Sequence, residues 1–171
     1  MEREPQTVSP AGERITRLLE GMVVHDFVTH TDERGTVCEL YDPRWCVSPE
    51  KLVFAHLFTI CAGMARGWGI HRDHDDRYAF LTGELELALY DAREESATAG
   101  EESRLVLSEL RRQLVTIPRG VWHAERNIKS SRRPSRELPA TPYNHASPDK
   151  YKLPLDTEEL PVRLGPQWRG W

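Results

Sequence analysis

The sequence predicts an all-β fold, a barrel or sandwich preceded by one short helix and followed by an irregular tail. Two observations carry this. Short runs rich in β-branched and aromatic residues recur roughly ten residues apart, with turn residues between them. One of these runs, Glu84–Tyr90, places leucine at every second position, the period of a strand with one buried face.

The elements follow in order. Residues 1–9 read as a loose arm. Ser9-Pro10 offers an N-cap and a residue suited to the first helical turn, and Ile15, Leu18 and Leu19 share a face before Gly21 ends the helix. Strands are then expected over Met22–Thr29, Thr36–Tyr41, Leu52–Ala62, Arg77–Thr82, Glu84–Tyr90, Ser103–Leu107 and Gln113–Ile117, with Gly83 as a turn. Beyond Arg133 the periodicity is lost, and seven of the twelve prolines lie between Pro134 and Pro166. Proline lacks the amide donor that sheet and helix need, so long regular elements are excluded there. Tyr143, Tyr151, Leu153, Leu155, Leu160, Trp168 and Trp171 nonetheless make this stretch too apolar for disorder. The expected organisation is an arm and helix (1–21), a barrel (22–133) and an ordered tail (134–171) packed on the barrel or on a partner subunit.

Composition narrows the function. At 171 residues the chain supports one good core. A net charge of −4 and a pI near 6.0 give no basic surplus to attract nucleic acid. The apolar run Leu52–Ala62 is interrupted by His56 and falls short of a membrane span, and the N-terminus lacks the apolar core of a secretory signal. The cytoplasm is the expected location. Cys38, Cys46 and Cys61 are odd in number and follow no CxxC spacing, so they are expected to be small buried strand residues rather than disulfides or a zinc site.

Two segments carry the chemistry. In Pro118-Arg-Gly120-Val-Trp-His123-Ala-Glu-Arg-Asn127, proline and glycine make a tight turn that places His123 on a new strand. Earlier, Gly69-Ile-His71-Arg-Asp-His74-Asp-Asp76 is followed by Gly83. The first segment matches in full the PxGxxHxxxN motif of the cupin superfamily, which the chain resembles. The second resembles the other cupin motif, with His71 as its second histidine, Asp76 as its acidic residue and Gly69 in place of its first histidine. The resemblance implies a cupin-type jelly-roll barrel whose mouth, around His71 and His123, is a small-molecule pocket. His71, Asp76 and His123 form a set able to hold a divalent metal with open positions. His74, three residues from His71, would face the other side of a regular strand.

A narrower resemblance, from about Val24 to Arg163, is to the dTDP-4-dehydrorhamnose 3,5-epimerase family. It is carried by Asp32-Glu-Arg34-Gly-Thr-Val-Cys-Glu39, Gly63-Met-Ala-Arg66-Gly67, Tyr90-Asp-Ala-Arg93-Glu-Glu-Ser96, Gln113–Pro118 and Thr141-Pro-Tyr143-Asn. It implies that Arg34, Glu39 and Arg66 contact a nucleotide or its phosphates, which suits bidentate guanidinium chemistry. It places Tyr143 at the substrate. Gly69 stands where that family has its catalytic histidine, Glu137 where it has its tyrosine, and Asp76 where its pocket lysine falls. The function expected is therefore an epimerase- or isomerase-like enzyme acting on a nucleotide-linked keto-sugar, without a required cofactor and as a homodimer. His71 would abstract a proton beside the carbonyl, His123 would support the enolate, and Glu137 would return the proton. Two other readings stay open: a metal-dependent cupin oxygenase or isomerase using His71, Asp76 and His123, and a non-catalytic carbohydrate-binding cupin.

Overall fold

The computed structural model describes residues 6–12, 15–128, 135–139 (backbone only) and 146–170. Among the described residues twelve strands follow one another: β1 (Val23–Asp26), β2 (Thr29–Asp32), β3 (Gly35–Cys38), β4 (Phe58–Ile60), β5 (Ala65–Ile70), β6 (Asp76–Thr82), β7 (Glu84–Asp91), β8 (Glu102–Ser108), β9 (Gln113–Ile117), β10 (Val121–Asn127), β11 (Ser135–Pro139) and β12 (Tyr151–Leu153). One five-stranded sheet has the order β1-β9-β6-β11-β4 and the other β12-β5-β10-β7-β8, while β2 and β3 form a separate hairpin. The pairs within these sheets are antiparallel. The arrangement is a jelly-roll barrel, as the sequence predicts.

The inner core follows from period two. Leu85, Leu87 and Leu89 are fully buried and meet Tyr78 and Phe80 of β6, Leu105 and Leu107 of β8, and Val115 and Ile117 of β9. Gly83 makes the β6–β7 turn at φ +93°, a conformation glycine adopts without steric cost. A second apolar layer lies on the outer face of the β12-β5-β10-β7-β8 sheet. There Trp68, Ala88 and Ala124 are covered by Leu160, Val162 and Trp168 from the end of the chain. The central strands β5, β10 and β7 are thus covered on both faces, while β8 keeps its outer face exposed. Trp168→Ala removes the largest cover residue and is expected to cost about 3–5 kcal/mol, read by urea denaturation. A loss below 1 kcal/mol would mean that the cover is not cooperative with the barrel.

Four expectations need correction. Among the described residues the helical element is a single 3-10 turn, Pro43–Trp45, and the N-terminal segment forms no helix. Its backbone bonds elsewhere: the Arg17 carbonyl accepts from Ser103 Oγ at 2.5 Å, and Glu20 N donates to Thr98 Oγ1 at 2.9 Å. Leu19 enters the core from this irregular path while Ile15 stays exposed. The tail, in turn, is not irregular throughout, since it supplies β11 between β6 and β4 and β12 beside β5. Short strands at existing edges satisfy the backbone where proline rules out long ones. Of Leu52–Ala62, only Phe58–Ile60 is strand. Finally, the cysteines are free but not buried: Cys38 is half-buried, and Cys46 and Cys61 are exposed. No helix among the described residues is long and apolar enough to cross a membrane.

Candidate active site

The site grows from the turn Pro118-Arg119-Gly120. Gly120 has φ +81°, and a Cβ there would lie 2.6 Å from Arg93 Cγ, so only glycine fits. Its N–H donates to the His71 carbonyl at 2.8 Å, which stitches the two histidine segments together. From Val121 the strand alternates. Ala124 joins the outer layer, and His123, Glu125 and Asn127 face inward and are buried. Asn127 Nδ2 donates to the Ile60 carbonyl at 2.9 Å, locking β10 to β4. Opposite, His123 pairs with Gly69 and Glu125 with Arg66. Two steps on β10 therefore face three on β5, and this bulge lets Arg66 and Gly69 line one cavity although they are an odd number apart.

His71, Asp76 and His123 come together from three separate stretches. His71 Nε2 is 3.4 Å and His123 Nε2 3.9 Å from Asp76 Oδ2, and the two imidazoles stack with centroids 5.8 Å apart. The two histidines differ in their freedom. His71 Nδ1 contacts the Asp149 carbonyl closely and Nε2 faces Asp76, so both its nitrogens are engaged. His123 Nδ1 donates to the Val121 carbonyl at 3.3 Å, which fixes the tautomer and leaves Nε2 with its lone pair. That buried Nε2 has no hydrogen-bond partner. Burial above all, then the charges of Lys150 and His71, pushes His123 down to about 3 against the opposing pull of Asp76, so the ring is neutral at pH 7. Burial pushes Asp76 the other way, but the His71 hydrogen bond and nearby positive charge hold its carboxyl well below the usual range. Glu125, which accepts from Tyr78 Oη at 2.6 Å, is raised by burial.

The cavity beside His123 measures about 300 Å³ and is lined on β5 by Arg66, Gly67 and Gly69, on β10 by His123 and Glu125, and along the tail by Lys150 and Lys152. Arg66 lies over the Phe58 ring, 4.4 Å from its centroid. Burial, and after it the charges of Lys150 and Arg66, lowers Lys152. The cavity is cationic. His71, Asp76 and His123 offer donor atoms within 4.8 Å of one another, a spacing that admits a divalent ion. Three cations lining the adjoining cavity oppose one, so the charge of the site does not fit a resident divalent metal.

Arg66 is thus at the cavity with His123, and His71 and Asp76 adjoin it. Arg34 and Glu39 are not. Arg34 lies in the β2–β3 turn, 83% exposed and paired with Asp32 at 2.6 Å, and Glu39 is exposed just beyond β3. Glu137 lies on β11, opposite Phe58 and Phe80 in register, and its side chain is outside the described residues, as is Tyr143. His74 pairs instead with Asp149, 3.1 Å away. Sequence reasoning missed Lys150, Lys152, Tyr78 and Glu125. The alternation Lys150-Tyr151-Lys152 is the signal that would have marked both lysines as sharing one face of a strand.

No family model matches the chain. The curated proteins it resembles include the spore coat polysaccharide biosynthesis protein SpsL of Bacillus subtilis, 27% identical over 157 residues, which cover 89% of this chain and 100% of SpsL. The probable low-salt glycan biosynthesis epimerase Agl13 of Haloferax volcanii is 27% identical over 137 residues, 78% of this chain and 86% of Agl13. Among solved structures, the dTDP-6-deoxy-D-glucose-3,5-epimerase RmlC of Legionella pneumophila, in complex with dTDP-4-keto-L-rhamnose, superposes with a TM-score of 0.74 at 19% identity, over 92% of this chain and 86% of that one. The fold is that of the sugar-nucleotide epimerase cupins.

Proposed function

We propose that the chain is an isomerase of this kind, an epimerase that inverts a carbon beside the ketone of a nucleotide-linked sugar. The observation that carries the reading is the unpartnered Nε2 of neutral His123 facing a cavity lined by Arg66, Lys150 and Lys152. A nucleoside diphosphate matches the cations, and a neutral imidazole lone pair matches a carbon acid. The ketone is itself the electron sink, so the chemistry calls for no cofactor.

In this reading His123 removes the proton, and Arg66 and Lys152 hold the diphosphate. His71, with both nitrogens engaged, keeps Asp76 beside His123 and acts as a positioning residue rather than the base. Glu137, at the register position opposite Phe80, returns a proton to the other face. The chain works as a homodimer. The β2–β3 hairpin lies outside both five-stranded sheets with Val28 and Val37 each 67% exposed, and a second subunit is what would seat such a hairpin, carrying Arg34 and Glu39, against a cavity. Light scattering that finds a monomer at micromolar concentration removes that part.

The function is tested by incubating the protein with dTDP-4-keto-L-rhamnose in deuterated water. The expected result is deuterium at carbons next to the ketone, because abstraction and return exchange that hydrogen with solvent. Exchange is expected to survive extensive treatment with a chelator. Binding of dTDP without any exchange would favour the carbohydrate-binding reading, and exchange that needs an added divalent ion would favour the metal reading.

A further inference from the structure

Position 69 carries no side chain, and the room this leaves is taken by a residue from the far end of the chain. A Cβ on Gly69 would lie 3.4 Å from Lys150 Cε, 3.8 Å from Lys150 Nζ and 3.4 Å from His123 Nε2. Three atoms thus converge on one point of the cavity wall: an ammonium group, the methylene that carries it, and a free imidazole nitrogen. The backbone at Gly69 is not in the left-handed region, so it is space rather than conformation that glycine supplies here.

Lys150 is held there from both sides. The Asp149 carboxylate accepts from the N–H groups of Arg72 at 3.0 Å and Asp73 at 2.7 Å, lies 3.1 Å from His74 Nδ1, and its backbone carbonyl meets His71 Nδ1. On the other side β12 begins, with Lys152 paired to Gly69 itself. A residue fixed at both neighbours has its backbone set at the cavity wall, so its side chain starts from a defined point beside Gly69.

We propose that Lys150 is a catalytic residue that binds the ketone oxygen of the substrate and takes up the charge that develops on it. His123 Nε2 removes the proton from the adjacent carbon; the C–H bond breaks and an N–H bond forms. The C–H electron pair becomes the enolate double bond, and the carbonyl π pair moves onto oxygen, where the ammonium of Lys150 meets it. Return of a proton to the opposite face restores the ketone. A donor held in place before the reaction and aimed at developing charge is an arrangement that stabilises such a transition state. The proposal rests on the epimerase reading and adds to it the residue that polarises the ketone.

The test compares wild-type protein, Lys150→Met and Lys150→Arg, measuring deuterium exchange into saturating dTDP-4-keto-L-rhamnose and the affinity for dTDP, which has no ketone. Lys150→Met is expected to slow exchange by about 10²–10³-fold while changing dTDP affinity by less than about threefold. Lys150→Arg, which keeps the charge at altered geometry, is expected to lie between. Wild-type-level exchange in Lys150→Met overturns the proposal, as does a loss of dTDP affinity that matches the loss of exchange, which makes Lys150 a phosphate ligand. If wild-type protein itself binds dTDP but exchanges nothing, the epimerase reading fails and this proposal with it. If wild type exchanges and the variant matches it, the role of Lys150 alone is wrong.

Discussion

His123→Ala is expected to abolish nearly all deuterium exchange into a 4-keto sugar nucleotide, a fall of about 10³-fold, while dTDP still binds. The size follows from the absence of a substitute. His71 has its nitrogens turned to the Asp149 carbonyl and to Asp76 and so offers no free lone pair, while Glu125 already accepts a hydrogen bond from Tyr78 Oη. The pH dependence is a second readout. His123 is pushed down to about 3, so the free protein holds the base neutral well below the pH at which an ordinary histidine, near 6.5, takes up a proton. The kcat/KM for exchange is therefore expected to stay flat between roughly pH 7 and 5. An acid limb near 6.5 that disappears in the variant would mean that His123 is not buried as described. Exchange surviving in His123→Ala would mean that another group is the base.

Asp91→Ala is expected to destabilise the fold by about 2–4 kcal/mol, because it takes the shared acceptor away from the half-buried Arg93 guanidinium and from two hydroxyls. Asp91 is fully buried at the end of β7. Its Oδ1 accepts from Arg93 N at 3.1 Å and Arg93 Nε at 2.8 Å; its Oδ2 accepts from Arg93 Nη2 at 2.8 Å and from Ser96 Oγ and Thr98 Oγ1 at 2.6 Å each. Arg93 also donates to the Glu20 carbonyl at 2.7 Å and packs against Gly120, so the knot fastens the N-terminal segment and the turn that launches His123. Burial raises the carboxyl, but the hydrogen bonds from Arg93, Ser96 and Thr98 outweigh it and hold the group well below the usual range. A carboxyl depressed in the folded state contributes stability that is fully present above its unfolded pKa, about 3.9. That contribution is lost as pH falls from there toward the folded value. Urea denaturation of wild type and variant should therefore show the full difference at pH 7 and a smaller one at pH 3. The same difference at both values would sink the electrostatic account.

What could be read from the sequence was read where one cause acted alone. Glu84–Tyr90 announced itself because one face of β7 is apolar and the other is not. Gly83 and Gly120 were visible because a tight turn needs what glycine supplies. His123 and Asp76 came from a motif whose spacing is set by a strand and a turn. The helix over Ser9–Gly21 failed because the spacing of Ile15, Leu18 and Leu19 did not weigh the bonds that Ser103 and Thr98 offer to the same backbone. β5 was missed because Gly67 and Gly69 are poor strand formers, and it is the partners β10 and β12 that make Ala65–Ile70 a strand. The run Tyr90–Ser96, which carries part of the family resemblance without an assigned role, proves to be the Asp91 knot. Lys150 escaped for a different reason. Its place depends on Asp149 meeting the amides of Arg72 and Asp73, a long-range contact that no local pattern announces.

The position of β11 sets the order in which the molecule can be completed. Among the described residues β4 pairs with β11 alone, and β11 also closes the open side of β6. Both earlier strands are made long before it, so a nascent chain that has produced β10 still presents two unpaired edges, one of them carrying the Phe58 on which Arg66 rests. Such edges are templates for pairing with other chains. Pairing this far apart in sequence is also slow to form. The barrel cannot shut, nor the cavity take its final shape, until the proline-rich stretch has left the ribosome. Interrupted synthesis before Ser135 would leave a sticky, half-built sheet rather than a smaller working protein.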